Sequence, residues 1–379
     1  MGLPNDSVIS ILDAQISEIQ SVSPSNYLTA RVCPLKFILS KSKLWQYSPD
    51  NAAAVVGTAI HRLIEWSGKN QSSEVTHAQA EAKFDELIKL AEDKLCKHPV
   101  NRRLIPLSVS DPRFPEKKHS AIKAAIRGPK QSRHGDVPPK FGMVRTMYEE
   151  GFSSGNGLIY GEIDKLVDGP SGLIIYDKKT CQVIDENGYI KNDYRMQLLL
   201  YAGIVYECIG KMASRLVLVD CNNTEIEVTF KPEEALEAIA VASRWLTSLN
   251  KKIALSSTVL QLLPLAQPSP EVCRFCASRS ACPAYWKARQ AVNDDWPVDA
   301  EFLVDSCQQL GNGGKLIYAS PIALGRSMKT SLNDINCQPA ISKIERGSKI
   351  RLIDVKKTGN QFSLTKNSVV YLINETTTN

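Results

Sequence analysis

Two periods of hydrophobic and polar residues alternate along the chain, and their order sketches its elements. Residues 52–68 (AAAVVGTAIHRLIEWSG) bring Val56, Ile60, Leu63 and Ile64 onto or near one helical face. Helices are also predicted over the leader 1–24, a short stretch around Cys33, 74–97, about 119–127, 194–210 (YRMQLLLYAGIVYECIG) and from Pro232, which suits the first position of a helix. Period-two alternation marks strands at 157–168 (GLIYGEIDKLVD) and 173–180 (LIIYDKKT), joined by a turn at Gly169–Gly172, and again at 214–221 and 226–230. This order of strands and helices predicts an α/β core with a mixed sheet. Beyond Trp296-Pro297 the pattern changes to short runs, KLIYA, SKIRLIDV, QFSL and SVVYLI. These make 297–379 a small β-rich appendage of unknown role, with a partly closed barrel as one form open to it.

Composition narrows the class. A chain of 379 residues with 43% hydrophobic and 23% charged side chains can bury a large core plus a smaller one. It has no apolar run long enough for a membrane span and no basic head before an apolar stretch, so a cytoplasmic protein without membrane contact is expected. Ten cysteines in that compartment point to a metal or cluster site before a disulfide framework. Lys plus Arg exceed Asp plus Glu by 46 to 40, and the excess is concentrated. Residues 97–145 hold twelve basic side chains against three acids, broken by prolines, and read as an inserted lobe suited to tracking phosphates or, equally, as a solvated surface. The segment GNGGKL at 311–316 lacks the Ser or Thr of a phosphate loop, so no ATPase motor is expected in this chain.

The candidate chemistry lies in the strand pair. Asp164 and Asp177 would each bring a carboxylate from one of two adjacent strands, a pair able to hold Mg2+ or Mn2+. Lys179 shares the strand face of Asp177, whereas the side chain of Lys178 points away and leaves its carbonyl as the contribution. Gln197 and Tyr201, one helical turn apart, would place an amide and a phenol beside Lys179 or a nucleic-acid backbone. His61 sits a turn after Gly57, whose missing side chain leaves room for a ligand to approach. On its residues alone the acid and lysine trio is also compatible with a charged surface hairpin.

Taken in order, His61, GEID with Asp164, DKKT with Asp177 and Lys179, and QLLLY with Gln197 and Tyr201 resemble the RecB-like nucleases of the PD-(D/E)XK superfamily. The resemblance covers about 25–292 and implies a restriction-endonuclease-like domain there: a central mixed sheet flanked by helices, with the basic segment about 97–145 as an insertion. It implies that His61, Asp164, Asp177 and the Lys178 carbonyl ligate the metal while Lys179 aids water activation. Cys273, Cys276 and Cys282 follow C-x2-C-x5-C, one ligand short of a four-thiolate site. In the iron-sulfur branch, which includes the CRISPR-associated RecB-like nucleases, a cysteine ahead of the histidine supplies the fourth. Cys33 then completes a [4Fe-4S] cluster, with a zinc ion held by the same four cysteines as the structural alternative. Cys96, Cys181, Cys208, Cys221, Cys307 and Cys337 lack ligand spacing and are expected to be buried thiols. The function implied is a metal-dependent DNase, an exonuclease on single-stranded DNA or DNA ends, in repair, recombination or defence against foreign DNA. It would work alone or with a helicase or nuclease complex in trans. The alternative is a non-catalytic DNA-binding or assembly subunit.

Overall fold

The computed structural model describes residues 16–42, 49–69, 75–98, 100–127, 144–179, 182–220, 224–290, 296–311, 315–321, 328–332, 339–358, 361–365 and 367–373. They form two compact units, the first within Gln15–Ser42 and His134–Gln267, the second within Lys43–Arg133 and Pro268–Asn379. In chain order, α1 (Pro24–Val32) and α2 (Pro34–Lys41) belong to the first unit. The helices α3 (Ala52–Lys69), α4 (His77–Cys96), α5 (Leu107–Ser110) and α6 (Phe114–Arg127) belong to the second. The chain returns to the first unit for β1 (Arg145–Ser153), β2 (Tyr160–Gly169), β3 (Gly172–Lys178), α7 (Asn192–Ile209), β4 (Ala213–Val219), β5 (Glu225–Glu227) and α8 (Pro232–Ala254). The second unit is completed by α9 (Pro270–Arg274), α10 (Pro283–Gln290), β6 (Ala300–Gln309), β7 (Lys315–Pro321), β8 (Met328–Leu332), α11 (Pro339–Ser342), β9 (Lys349–Ile353), β10 (Lys356–Thr358), β11 (Gln361–Ser363) and β12 (Val369–Ile373).

The first unit is mixed α/β. Among the described residues its five strands run in sequence order, β1-β2-β3-β4-β5, antiparallel except for the parallel pair β3 and β4. A parallel pair needs a crossover, and α7 supplies it. Every residue of α7 from Gln197 to Val205 is buried, which explains an apolar run too continuous for a one-sided helix. α7 packs on the sheet, on α1 and on α8. The approach to α8 is closest at Gly203, where an added Cβ would stand 2.7 Å from the Ala235 carbonyl oxygen. The end of α7 is set by Gly210 at φ +72°, a left-handed cap that a Cβ would oppose.

The predicted leader helix lies outside the described residues as far as 15, and 16–21 are not helical. The amide of Asn250 takes both backbone groups of Ile19, and Val22 bridges to Ile159, so this stretch finds its hydrogen bonds away from itself. α1 starts where Ser23 accepts the N–H of Asn26 and stops at Cys33, held extended before Pro34.

In the second unit α3, α4 and α6 share a core in which Val56, Leu63, Phe84 and Ile122 are buried. Among the described residues seven strands of this unit form one sheet in the order β10-β11-β8-β7-β6-β9-β12. Among the described residues β10 and β12 are the end strands, so the pairing is that of an open sheet. Among the described residues no helix is long and apolar enough to cross a membrane.

Candidate active site

The register of β2 and β3 sets Lys165 opposite Tyr176, which carries Asp164 and Asp177 to the next position of the same ladder. The strands diverge there. The Asp164 carboxylate reaches across and accepts the backbone N–H of Lys178 at 2.5 Å, while Lys179 extends the parallel ladder by donating its N–H to the Val219 carbonyl at 2.8 Å. The two acids therefore sit where β3 leaves its antiparallel neighbour.

Behind them a single amide organises the polar groups. Lys179 Nζ lies 2.6 Å from Asp177 Oδ2 and donates to Gln197 Oε1 at 2.8 Å. Gln197 Nε2 faces Asp177 Oδ1 at 3.3 Å and the Tyr201 hydroxyl at 3.1 Å. Only this orientation of the amide gives the ammonium an acceptor and the carboxylate a donor. Asp177 and Gln197 are buried. Burial pushes the Asp177 carboxyl up to about 6; the Lys179 ammonium pulls it down and the Asp164 charge adds to the rise. Burial also raises the Tyr201 phenol, against the hydrogen bond from Gln197 and with the charges of Asp177, Asp164 and Glu162. Tyr201 can stand this close to the strand because residue 161 is glycine: an added Cβ would meet its ring at 2.7 Å.

Sequence reasoning passed over two neighbours. Tyr194, one turn before Gln197 on α7, presents its ring to Lys179, with Nζ 4.9 Å from the centroid. Its i−3 spacing from Gln197 was the available signal. Glu162 shares the strand face of Asp164, two residues before it, and adds negative potential near Tyr201.

The carboxylate pair suits a hard divalent cation. Asp177 Oδ2 is buried and, apart from its ion pair with Lys179, makes no aligned hydrogen bond with a donor among the described residues. Mg2+ is commonly held by one or two carboxylates, with water and substrate phosphate completing its shell. Among the described residues no three His, Cys, Asp or Glu side chains are gathered to hold a metal ion. His61 is exposed on α3 in the second unit, and apart from its chain neighbours and its own helix backbone nothing among the described residues lies within 4 Å of where a Cβ on Gly57 would stand. The thiols divide likewise: Cys33 is in the first unit, beside the Gln267 N–H, and Cys273, Cys276 and Cys282 flank a short 3-10 turn in the second. As they stand, those three do not form a three-thiol set.

Three of the six remaining cysteines correct an expectation. Cys96, Cys208 and Cys307 are exposed, at the last turns of α4 and α7 and toward the end of β6, where the elements run out of core; Cys181, Cys221 and Cys337 lie outside the described residues. The basic segment is also less available than its charge implies. Arg102 and Arg103 donate to the carbonyls of Cys96 and Val100, Lys117 pairs with the buried Asp111, and Lys118 pairs with Glu81 and Asp85. Residues 128–143 of that segment lie outside the described residues.

No match is found among curated proteins. Among solved structures, the crystal structure of the p204 HINb domain is 18% identical with a TM-score of 0.17, covering 20% of this chain and 39% of that one. A murine DNA-binding protein bound to double-stranded DNA is 13% identical with a TM-score of 0.17, covering 62% of this chain and 99% of that one. Likenesses this slight bear on neither fold nor function. The profile of the PD-(D/E)XK nuclease superfamily, by contrast, matches residues 21–283. That span contains every member of the network from Asp164 to Tyr201 and most of the chain, which therefore belongs to the PD-(D/E)XK nuclease superfamily.

Proposed function

We propose that this protein is a RecB-like deoxyribonuclease that uses Mg2+ or Mn2+ to hydrolyse single-stranded DNA or DNA ends. Members of the superfamily are generally metal-dependent nucleases, and Mg2+ or Mn2+ is their usual cofactor. The observation that carries the reading is the tethering of Lys179, with its ammonium held between Asp177 and Gln197.

In this reading Asp164 and Asp177 hold the cation, joined by the Lys178 carbonyl and His61 as the resemblance implies. When bound, the cation supplies acidity to a water and neutralises charge on the phosphate. Lys179 directs its ammonium at a non-bridging phosphate oxygen or at the attacking water, where negative charge grows in the transition state. Gln197 fixes the direction of that ammonium, and Tyr201 fixes Gln197. Tethering matters because a free lysine spreads over many rotamers and loses most of its electrostatic benefit.

Residues 25–292 are assigned to the nuclease domain in this reading, and 297–379 to an accessory role. A [4Fe-4S] cluster on Cys33, Cys273, Cys276 and Cys282 rests on the resemblance and the cysteine spacing. Iron and acid-labile sulfide in anaerobically purified protein test it. The decisive experiment for the nuclease is an assay of end-labelled single- and double-stranded DNA with Mn2+. Asp164→Ala and Lys179→Ala should lower cleavage by a factor of about 100 or more while DNA binding persists. Undiminished cleavage in either variant contradicts the mechanism.

A further inference from the structure

Between β3 and α7 the chain makes a small closed hairpin whose tip serves neither the core nor the network around Lys179. Val183 anchors it, 2% exposed, and Ile184 bridges antiparallel to Ile190. The Asp185 N–H donates to the Tyr189 carbonyl at 2.8 Å and the Lys191 N–H to that of Val183 at 3.0 Å. Asp185 Oδ1 accepts the N–H groups of Asn187 and Tyr189, both at 2.9 Å, and Gly188 at φ +82° closes the turn. Ordered this way, the hairpin leaves the Tyr189 ring 72% exposed.

The base of the hairpin is fixed to the candidate active site. Lys191 Nζ donates to the Gln182 carbonyl at 2.8 Å and stands 5.8 Å from the centroid of Tyr194, the ring that Lys179 also faces. Two cations thus share one aromatic ring, one belonging to the hairpin and the other to the reactive network. Lys178, with its side chain exposed, continues the basic character next to Lys179. The hairpin itself carries Asp185 and Glu186, both exposed, and Asp193 follows at the start of α7, so its tip is no cationic track. A ligand that meets Tyr189 gains by covering an aromatic face.

We propose that Tyr189 is a stacking platform for one unpaired base of the DNA strand whose phosphate faces Lys179. This deepens the nuclease reading and rests on it. It selects single strands because a paired base has its faces covered by its neighbours in the duplex, whereas an unpaired base offers a face to an aromatic side chain. A base stacked on an aromatic side chain typically accounts for about tenfold in affinity or more.

The test uses the full chain and fluorescent oligothymidylate, with binding followed by anisotropy in EDTA and cleavage followed in Mn2+. Tyr189→Ala should weaken single-strand binding about tenfold, leave the salt slope unchanged and raise KM without changing kcat, while Tyr189→Phe and Tyr189→Trp retain wild-type binding. A single abasic site moved along the oligonucleotide should cost the wild type affinity at one position and cost Tyr189→Ala nothing there. Single-strand binding by Tyr189→Ala within about twofold of wild type, an equal loss on duplex, or no wild-type binding to the oligonucleotide overturns the platform. Cleavage by the wild type with an indifferent Tyr189→Ala removes the platform alone. Tyr189-dependent binding without any wild-type cleavage removes the nuclease reading alone.

Discussion

Asp177 is a buried acid beside a second acid and an ammonium, so its protonation is linked to folding. Its carboxyl titrates near 6 in the folded protein, above its unfolded value, and between the two values the native state holds the extra proton. Its contribution to stability is therefore fully present below about pH 4 and lost as the pH rises through about 6. At about 1.4 kcal/mol per pH unit, the carboxylate costs metal-free protein on the order of 2–3 kcal/mol at pH 8. Asp177→Asn should melt increasingly above wild type as the pH goes from about 4 to about 8 in EDTA. Added Mn2+ should raise the wild-type melting temperature at about pH 8 and leave that of the variant unmoved. A difference between the two proteins that stays flat with pH contradicts this account. That Asp164, Asp177, Lys179, Gln197 and Tyr201 lie together was legible from types and spacing, because strand and helix periods fix which side chains share a face. Tyr194 was not, because an aromatic in a helical apolar run looks like core until the lysine across from it is located.

At the scale of elements, two glycines set how closely α7 approaches β2 and α8. Gly161 on β2 leaves the gap filled by the Tyr201 ring, and Gly203 lets α7 lie against α8. An alanine at 161 must displace Tyr201, and through it Gln197 and Lys179, because the ring is already 2.7 Å from the new Cβ. Overpacking of this kind costs about 1–3 kcal/mol. Gly161→Ala should lower both the melting temperature and cleavage, and adding Tyr201→Leu should restore part of the stability but not the cleavage. Strictly additive stability losses in the double variant would mean the two positions do not touch. The strand pair and α7 were readable because each carries an unbroken period. β1 and β6 were not, since exposed polar residues cover much of both and break the period-two pattern. The exposed Cys208 makes the same point: it continues the Gln197, Tyr201, Val205 face, but that face leaves the core before the helix ends.

At the scale of the whole molecule, each unit is assembled from segments far apart in sequence. A linear reading has no access to such contacts, because they depend on pairings that local pattern does not encode. In the second unit the cysteine segment is locked to the C-terminal sheet through a buried charge cluster. Arg279, 5% exposed, donates to Asp299 at 2.8 Å and to Asp354 at 2.5 Å. Asp299 has no exposure, and also accepts the Tyr285 hydroxyl at 2.6 Å and the Asp354 N–H at 2.8 Å. Arg351 adds a second lock, donating to the Ser280 carbonyl and lying over the Trp286 ring. Removing Asp299 takes one carboxylate from a buried guanidinium, leaving it the half-exposed Asp354, and strips the acceptor from a buried phenol, a change that typically costs about 3–5 kcal/mol. Asp299→Ala should lower stability in denaturant unfolding by that order and speed native-state labelling of Cys273 and Cys276 by a thiol reagent. Asp305→Ala, on the same sheet but hydrogen-bonded to the Ser320 hydroxyl at the surface, should change neither. Destabilisation without faster labelling would mean that the sheet unfolds apart from the cysteine segment, and the charge cluster would then not be the link between the two.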